Sequence, residues 1–352
     1  MAAPNPAYRP WPRIIPCMVV LAAAASVLFV AGLATYQVGA RNRRLLPEDR
    51  PPNNYEAHLV LAMNYALKSS EYNDVVFIGD STALTGIRTL DFQRETGLRA
   101  YNLSSMGVIG VDGCTIILRA YLSHHPKPRL LVFGVCPWSL GVKLEETGPI
   151  AVRRAFLYCY APRGESDKLV AGSTDERIKW VMGRGAHTIL GKLQGGAEHF
   201  ANDTIPLRDG LTYNWLDKYM SEHRGYYPNP GALPSGWRRP PPDPSDMNAC
   251  PVGRVLPGFE TAFSELAGLA RKEGIPLLVR LTPVSPPSVE ENYQQIRSWS
   301  ASVEGQGVYV SQPDVLIYDS PLFCERLHCN DDGAKVFTAF VAREAKRVLG
   351  MH

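Results

Sequence analysis

The feature that most constrains the fold is the stretch Val75-Val76-Phe77-Ile78-Gly79-Asp80-Ser81. Four apolar residues follow one another without polar alternation. A strand of that kind is buried on both faces, as in a parallel sheet covered by helices. Gly79 and Asp80 then supply a tight turn and leave a serine at the strand's end. Leu130–Val135 repeats the apolar pattern.

Helical spacing surrounds these runs. From Glu56 to Ser69, the apolar residues Leu59, Leu61, Ala62, Tyr65, Ala66 and Leu67 fall at helical intervals. Leu84–Glu95 and Gly113–His124 read as further helices, the second stopped by Pro126 and Pro128. Arg99–Leu103 reads as a short strand leading into a Ser104-Ser105-Met106-Gly107 turn. The rhythm returns near the C-terminus. Phe259–Glu273 is an expected helix, Ile275–Leu281 a strand, Ser288–Glu304 a helix, and Gly333–Leu349 a final amphipathic helix. A short strand is expected at either Val308–Val310 or Val315–Tyr318. Strands alternating with helices predict an α/β fold with a parallel sheet. Between about 141 and 255 the rhythm is lost, and that stretch reads as an inserted cap of loops and a few helices.

The N-terminal part has a different character. Residues 1–13 form a tail, and Ile14 to Ala40 hold no charged side chain over about 27 residues. About 20 apolar residues cross a bilayer core, and secretory apolar cores are shorter, so 14–40 predicts an uncleaved transmembrane anchor rather than a leader cut after Ala34. Residues 41–55 read as a linker, with 56–352 as the domain behind it. Arg41, Arg43 and Arg44 sit beside the apolar run as a juxtamembrane cluster. The net charge of +3 gives no case for nucleic acid. The arginine balance across the run points to a cytoplasmic domain. Six cysteines after the run (Cys114, Cys136, Cys159, Cys250, Cys324 and Cys329) are compatible with an oxidising compartment instead.

Two sites carry the chemistry. Ser81 stands at the C-terminal end of a buried strand, the edge where open α/β sheets place their ligands. About 247 residues later, Glu325-Arg326-Leu327-His328 puts an acid three residues before a histidine, in a loop entering the last helix. Serine, histidine and carboxylate fill the roles of nucleophile, base and orienting acid. Alone, Ser81 reads as a helix cap and His328 as a surface histidine. Their chain order, each at a predicted sheet edge, favours the catalytic reading.

With those residues in place, the chain resembles the SGNH/GDSL hydrolase superfamily over most of residues 73–140 and 256–350. The resemblance implies a flavodoxin-like three-layer α/β/α sandwich, with Ser81 of Gly79-Asp80-Ser81 as nucleophile. It further implies that Gly107 of Asn102-Leu103-Ser104-Ser105-Met106-Gly107 joins the Ser81 amide in an oxyanion hole. Glu325-Arg326-Leu327-His328 matches the family's Asp-x-x-His with glutamate for aspartate. The family's third-block asparagine has no counterpart in Phe133-Gly134-Val135-Cys136-Pro137-Trp138, so one oxyanion donor is missing or comes from elsewhere.

An N-terminal anchor with that asparagine missing resembles the membrane-anchored branch that assists O-acetylation of alginate or D-alanylation of teichoic acid. This implies a single-pass protein with an extracytoplasmic domain (periplasmic or cell surface), an acylated glycan or other ester as substrate, and a multi-pass membrane acyltransferase as partner. The expected activity is that of a serine esterase or O-acyltransferase. The alternative is a catalytically weak SGNH-fold subunit that binds glycan or assists such a partner.

The remaining candidates are less specific. Cys324 and Cys329 bracket the Glu–His pair, either as a disulfide or as two buried thiols; a metal set with His328 lacks further ligands at zinc-like spacing. His124-His125 reads as a surface helix end. His223, Arg224 and Tyr226, in a stretch rich in aromatics, are candidates for substrate contact, with packing of the cap as the other reading. No cofactor or metal motif stands out, and none is expected.

Overall fold

The structure is a computed structural model that describes residues 54–141, 213–227, 254–284 and 291–351 apart from 313, 325 and 326, together with positions 16, 18, 19, 26, 27, 153, 156, 157 and 160. The N-terminal tail, nearly all of the 14–40 run, positions 41–53 of the expected 41–55 linker and most of the expected 141–255 insertion lie outside those residues; the last two linker positions, Asn54 and Tyr55, instead open a helix. Among the described residues, no helix is long and apolar enough to cross a membrane.

Five strands form one parallel sheet in the order β2-β1-β3-β4-β5. They are β1 (Val75–Gly79), β2 (Ala100–Asn102), β3 (Leu130–Val135), β4 (Leu277–Leu281) and β5 (Val308–Val310). The α/β expectation therefore holds, and the order is that of a doubly wound sheet whose direction of winding reverses between β1 and β3. β1, β3 and β4 are buried along their whole length. Their side chains alternate between two cores. Val76, Ile78, Leu131, Phe133, Val135, Leu277, Val279 and Leu281 point into one. Val75, Phe77, Leu130, Val132 and Leu278 point into the other. A continuous apolar run was needed because both faces are covered.

The first core is closed by α1 (Asn54–Lys68), α4 (Gly110–His124), α6 (Pro257–Lys272) and α7 (Glu291–Val303). The second is closed by α2 (Ser81–Gly86), α3 (Thr89–Thr96) and α8 (Asp331–Val348). The single helix expected over Leu84–Glu95 is thus two, because Ile87 adopts an extended conformation and turns its side chain into the second core. Of the two options for the last strand, Val308–Val310 pairs with β4, whereas Ile317 makes only an isolated bridge to Val284.

A further helix, α5 (Tyr213–Glu222), packs Leu216 and Met220 with Leu61, Leu84 and Tyr227. His125 differs from the surface role expected of it. It is buried, with its ring stacked on Tyr121 at 4.1 Å and on Tyr65 at 5.1 Å. Arg280 is a buried charge in β4. Its guanidinium donates to the Ser311 carbonyl at 3.2 Å and lies 4.8 Å above the Phe340 ring. Burial lowers its pKa to about 10.

Candidate active site

The site is built on the reversal point of the sheet. Gly79 ends β1 opposite Gly134 of β3. The two backbones approach so closely that a Cβ on Gly79 would lie 1.7 Å from the Gly134 carbonyl oxygen. A Cβ on Gly134 would in turn meet Ala83 of α2 at 2.7 Å. Glycine at both positions lets the Ser81 helix sit directly on the sheet.

Asp80 follows and caps α2. Its Oδ1 accepts from the Thr82 amide at 3.0 Å and the Thr82 hydroxyl at 2.5 Å. Its Oδ2 accepts from the Cys136 amide and the Ser139 hydroxyl, both at 2.8 Å. Thr82 Oγ1 lies 2.7 Å from Thr282 Oγ1, just past β4. One buried carboxylate therefore ties the ends of β1 and β3 together, and its Thr82 partner extends the link to β4. Charge-assisted bonds of this kind are stronger than neutral ones. Asp80, Thr82, Ser139 and Thr282 were not legible as site residues; the one local signal was an acid two residues before a threonine at a strand end, a helix-capping pattern.

Ser81 is thereby fixed at the first position of α2, half-buried. Its Oγ lies 2.9 Å from Nε2 of His328, so the two residues singled out from sequence meet at hydrogen-bond distance. Glu325 lies outside the described residues.

The His328 loop is pinned by its own backbone. Phe323 and Cys329 form an antiparallel bridge, and the Cys324 amide donates to the His328 carbonyl at 3.0 Å. The Cys324 thiol reaches the same carbonyl at 3.3 Å. Backbone pairing thus holds the loop that Cys324 and Cys329 bracket. Burial pushes the Cys329 thiol up to about 12. Asn330 then caps α8 by accepting from the Gly333 amide at 3.0 Å, while its amide group donates to the Pro321 carbonyl at 2.6 Å. Among the described residues no cluster of His, Cys, Asp and Glu is arranged to hold a metal.

α8 is docked against the end of α2 and the turn after it by three polar contacts. Arg88 Nη1 pairs with Asp331 at 2.7 Å. The Arg88 amide donates to Thr338 Oγ1 at 2.9 Å, and that hydroxyl donates to the Gly86 carbonyl at 3.3 Å. These contacts set the separation of the two elements that carry Ser81 and His328.

Gly107 opens a 3-10 turn that leads into α4. A Cβ on it would lie 3.5 Å from Asp80 Cβ and 4.0 Å from Ser139 Oγ. It is therefore packed beside the residue that precedes Ser81. The turn is anchored upstream: the Ser105 amide donates to the Gly79 carbonyl at 3.0 Å. Asn102 donates from its side chain to the Ala83 carbonyl at 3.1 Å and accepts from the Ser104 amide at 3.0 Å.

The aromatic stretch after α5 is placed differently. Arg224 Nε donates to the Ala100 carbonyl at 2.8 Å, and Nη2 donates to Asn73 Oδ1 at 2.6 Å. Both partners are at the N-terminal end of the sheet, so the structure does not bring the Arg224 guanidinium to Ser81. The segment instead seals the β2 edge, with the Asn102 amide donating to the Arg224 carbonyl at 2.9 Å. The next residue, Gly225, has a φ of +83°, and a Cβ there would lie 2.0 Å from the Asn102 carbonyl oxygen. His223 stacks on Tyr219 at 3.8 Å, with Nδ1 2.9 Å from the Tyr219 carbonyl oxygen. Tyr226 is buried, which raises its phenol pKa; its electrostatic neighbours include Asp331 and Arg88. No family model and no curated protein matches the chain.

Proposed function

We propose that the chain is a membrane-anchored serine esterase or O-acyltransferase of the SGNH type. The observation that carries this reading is the 2.9 Å contact between Ser81 Oγ and His328 Nε2 at the C-terminal edge of a parallel sheet. In this reading the serine hydroxyl gives its proton to His328 Nε2 as Oγ bonds to an ester carbonyl carbon. The negative oxygen of the tetrahedral intermediate is received by the amides of Ser81 and Gly107. The intermediate collapses by breaking the carbon–oxygen bond to the leaving alcohol, which takes the proton from His328. Glu325 orients the imidazole. A second hydroxyl then attacks the carbonyl carbon of acyl-Ser81 with its proton passing to His328, and this second intermediate collapses by breaking the bond to Ser81 Oγ, which takes the proton back from His328. Water makes the protein an esterase; a hydroxyl of a cell-envelope glycan or exopolysaccharide makes it a transferase, and a multi-pass membrane acyltransferase would be a natural neighbour.

One observation favours a second reading, a catalytically weak subunit that binds glycan or assists such a partner. The segment after β3 carries Cys136-Pro137-Trp138-Ser139 where the family has an asparagine donor, and Ser139 already donates to Asp80. Loss of one oxyanion donor costs on the order of 10² to 10³ in rate.

Labelling of the detergent-solubilised chain with a fluorophosphonate probe decides between them. The enzyme reading expects a label on Ser81 that disappears in Ser81→Ala and His328→Ala. An unlabelled wild-type chain would leave the binding reading.

A further inference from the structure

The path of the chain into α1 determines which edge of the domain is tethered. α1 and α4 pack side by side and run in the same direction. The carbonyl oxygens of Tyr65, near the end of α1, and Glu71, just beyond it, lie 3.0 and 2.9 Å from the ring nitrogens of His125. His125 caps the C-terminal end of α4, whose other end begins at Gly110, just after Gly107. Each helix has 15 residues and so rises about 22 Å. Asn54 therefore stands at the level of Gly110, on the edge that carries Ser81 and His328. The middle of α1 agrees with this placement. Leu61 shares a cluster with Leu84 of the Ser81 helix, and His58 meets Tyr227, whose amide donates to the Leu84 carbonyl.

Ahead of Asn54 the sequence holds a 41–53 linker, a group of arginines and the charge-free run 14–40. Thirteen residues reach at most about 45 Å even when fully extended. Turning the opposite edge, with His125 and Lys127, toward a bilayer would require the linker to follow the whole length of α1 and then pass beneath the domain. We infer that the edge bearing Ser81 and His328 faces the bilayer and takes its acyl group from a lipid-borne ester. This rests on the reading of Ser81 as nucleophile and of 14–40 as an anchor.

The test uses the full chain in lipid vesicles and has two arms. In the first, a fluorophore replaces either Asp332, in the first turn of α8 at the site edge, or Lys127 at the opposite edge, and the bilayer contains an energy-acceptor lipid. Transfer at least twofold more efficient from position 332 is expected; equal or reversed efficiencies overturn the orientation. In the second, a flexible spacer of about 30 residues is inserted after Pro52. Turnover of a fluorogenic long-chain ester held in the bilayer is expected to fall at least fivefold, with turnover of a soluble acetyl ester unchanged. If the spacer leaves lipid-ester turnover unaltered, or the unmodified chain turns over only the soluble ester, the lipid source is overturned. If neither ester is turned over, the esterase reading falls, and the first arm still decides the orientation.

Discussion

Gly333 is packed so tightly beneath Leu322 that a Cβ on it would lie 2.1 Å from the Leu322 carbonyl oxygen. The same carbonyl accepts from the Asn330 amide at 2.9 Å, closing the loop that holds His328. A methyl group at Gly333 must push Leu322 and the loop apart. Ser81 is fixed independently, by Asp80 and β3. Gly333→Ala should therefore separate His328 from Ser81 while leaving the serine in place. The expected result is at least a tenfold slower reaction of Ser81 with fluorophosphonate, with the far-ultraviolet circular dichroism unchanged.

Asp80 offers a test of the other half of the site. Its two oxygens accept from two amides and two hydroxyls. Asparagine keeps one acceptor oxygen and places an NH2 group where two donors point. A hydroxyl can rotate to accept, but an amide cannot, so either the Thr82 or the Cys136 N–H is left unsatisfied. Such a loss costs about 1–3 kcal/mol, and removal of charge-assisted bonds adds to it. Asp80→Asn should lower the urea unfolding free energy by about 2–4 kcal/mol. Ser139→Ala, which removes one of four donors, should cost about 1 kcal/mol.

How much of this was legible in the sequence follows from what each feature depends on. β1 and β3 were readable because burial on both faces demands an unbroken apolar run, a local property. Ser81 and His328 were readable because both sit next to recognisable element ends, and parallel topology brings such ends to one edge. The Asp80 network was not readable. Its members come from three separate stretches, Asp80 with Thr82, Cys136 with Ser139, and Thr282, and the bonds from the Cys136 amide and the Ser139 hydroxyl carry no special local signal. Arg224 was readable as noteworthy but not as edge-sealing, since its role depends on Gly225 lying against the Asn102 carbonyl.

Arg224 gives a prediction that separates packing from substrate contact. Its guanidinium holds the Ala100 carbonyl and Asn73, and it also reaches Glu71 Oε2 at 3.2 Å. Arg224→Met keeps the aliphatic stem and removes these bonds. Buried partners left behind cost about 1–3 kcal/mol. The expected outcome is a lower urea midpoint, while the KM for a soluble ester stays within about twofold of wild type. A rise in KM of tenfold or more without loss of stability would instead place Arg224 in substrate binding.

His58 provides a pH-dependent prediction. It is buried in α1 with its ring 4.4 Å from that of Tyr227, and burial lowers its pKa from 6.5 to about 4. Between those values the unfolded chain binds a proton that the folded chain does not. Stability must then rise with pH across that window, and fall as pH drops from about 6.5 toward 4. The full effect of a shift of that size is about 3 kcal/mol. His58→Phe keeps a ring against Tyr227 and removes the titrating group. The variant should therefore lose less stability than wild type between pH 7 and pH 4.5, by about 2–3 kcal/mol in urea unfolding at matched pH. Parallel pH profiles for the two proteins would show that His58 takes up no proton on unfolding.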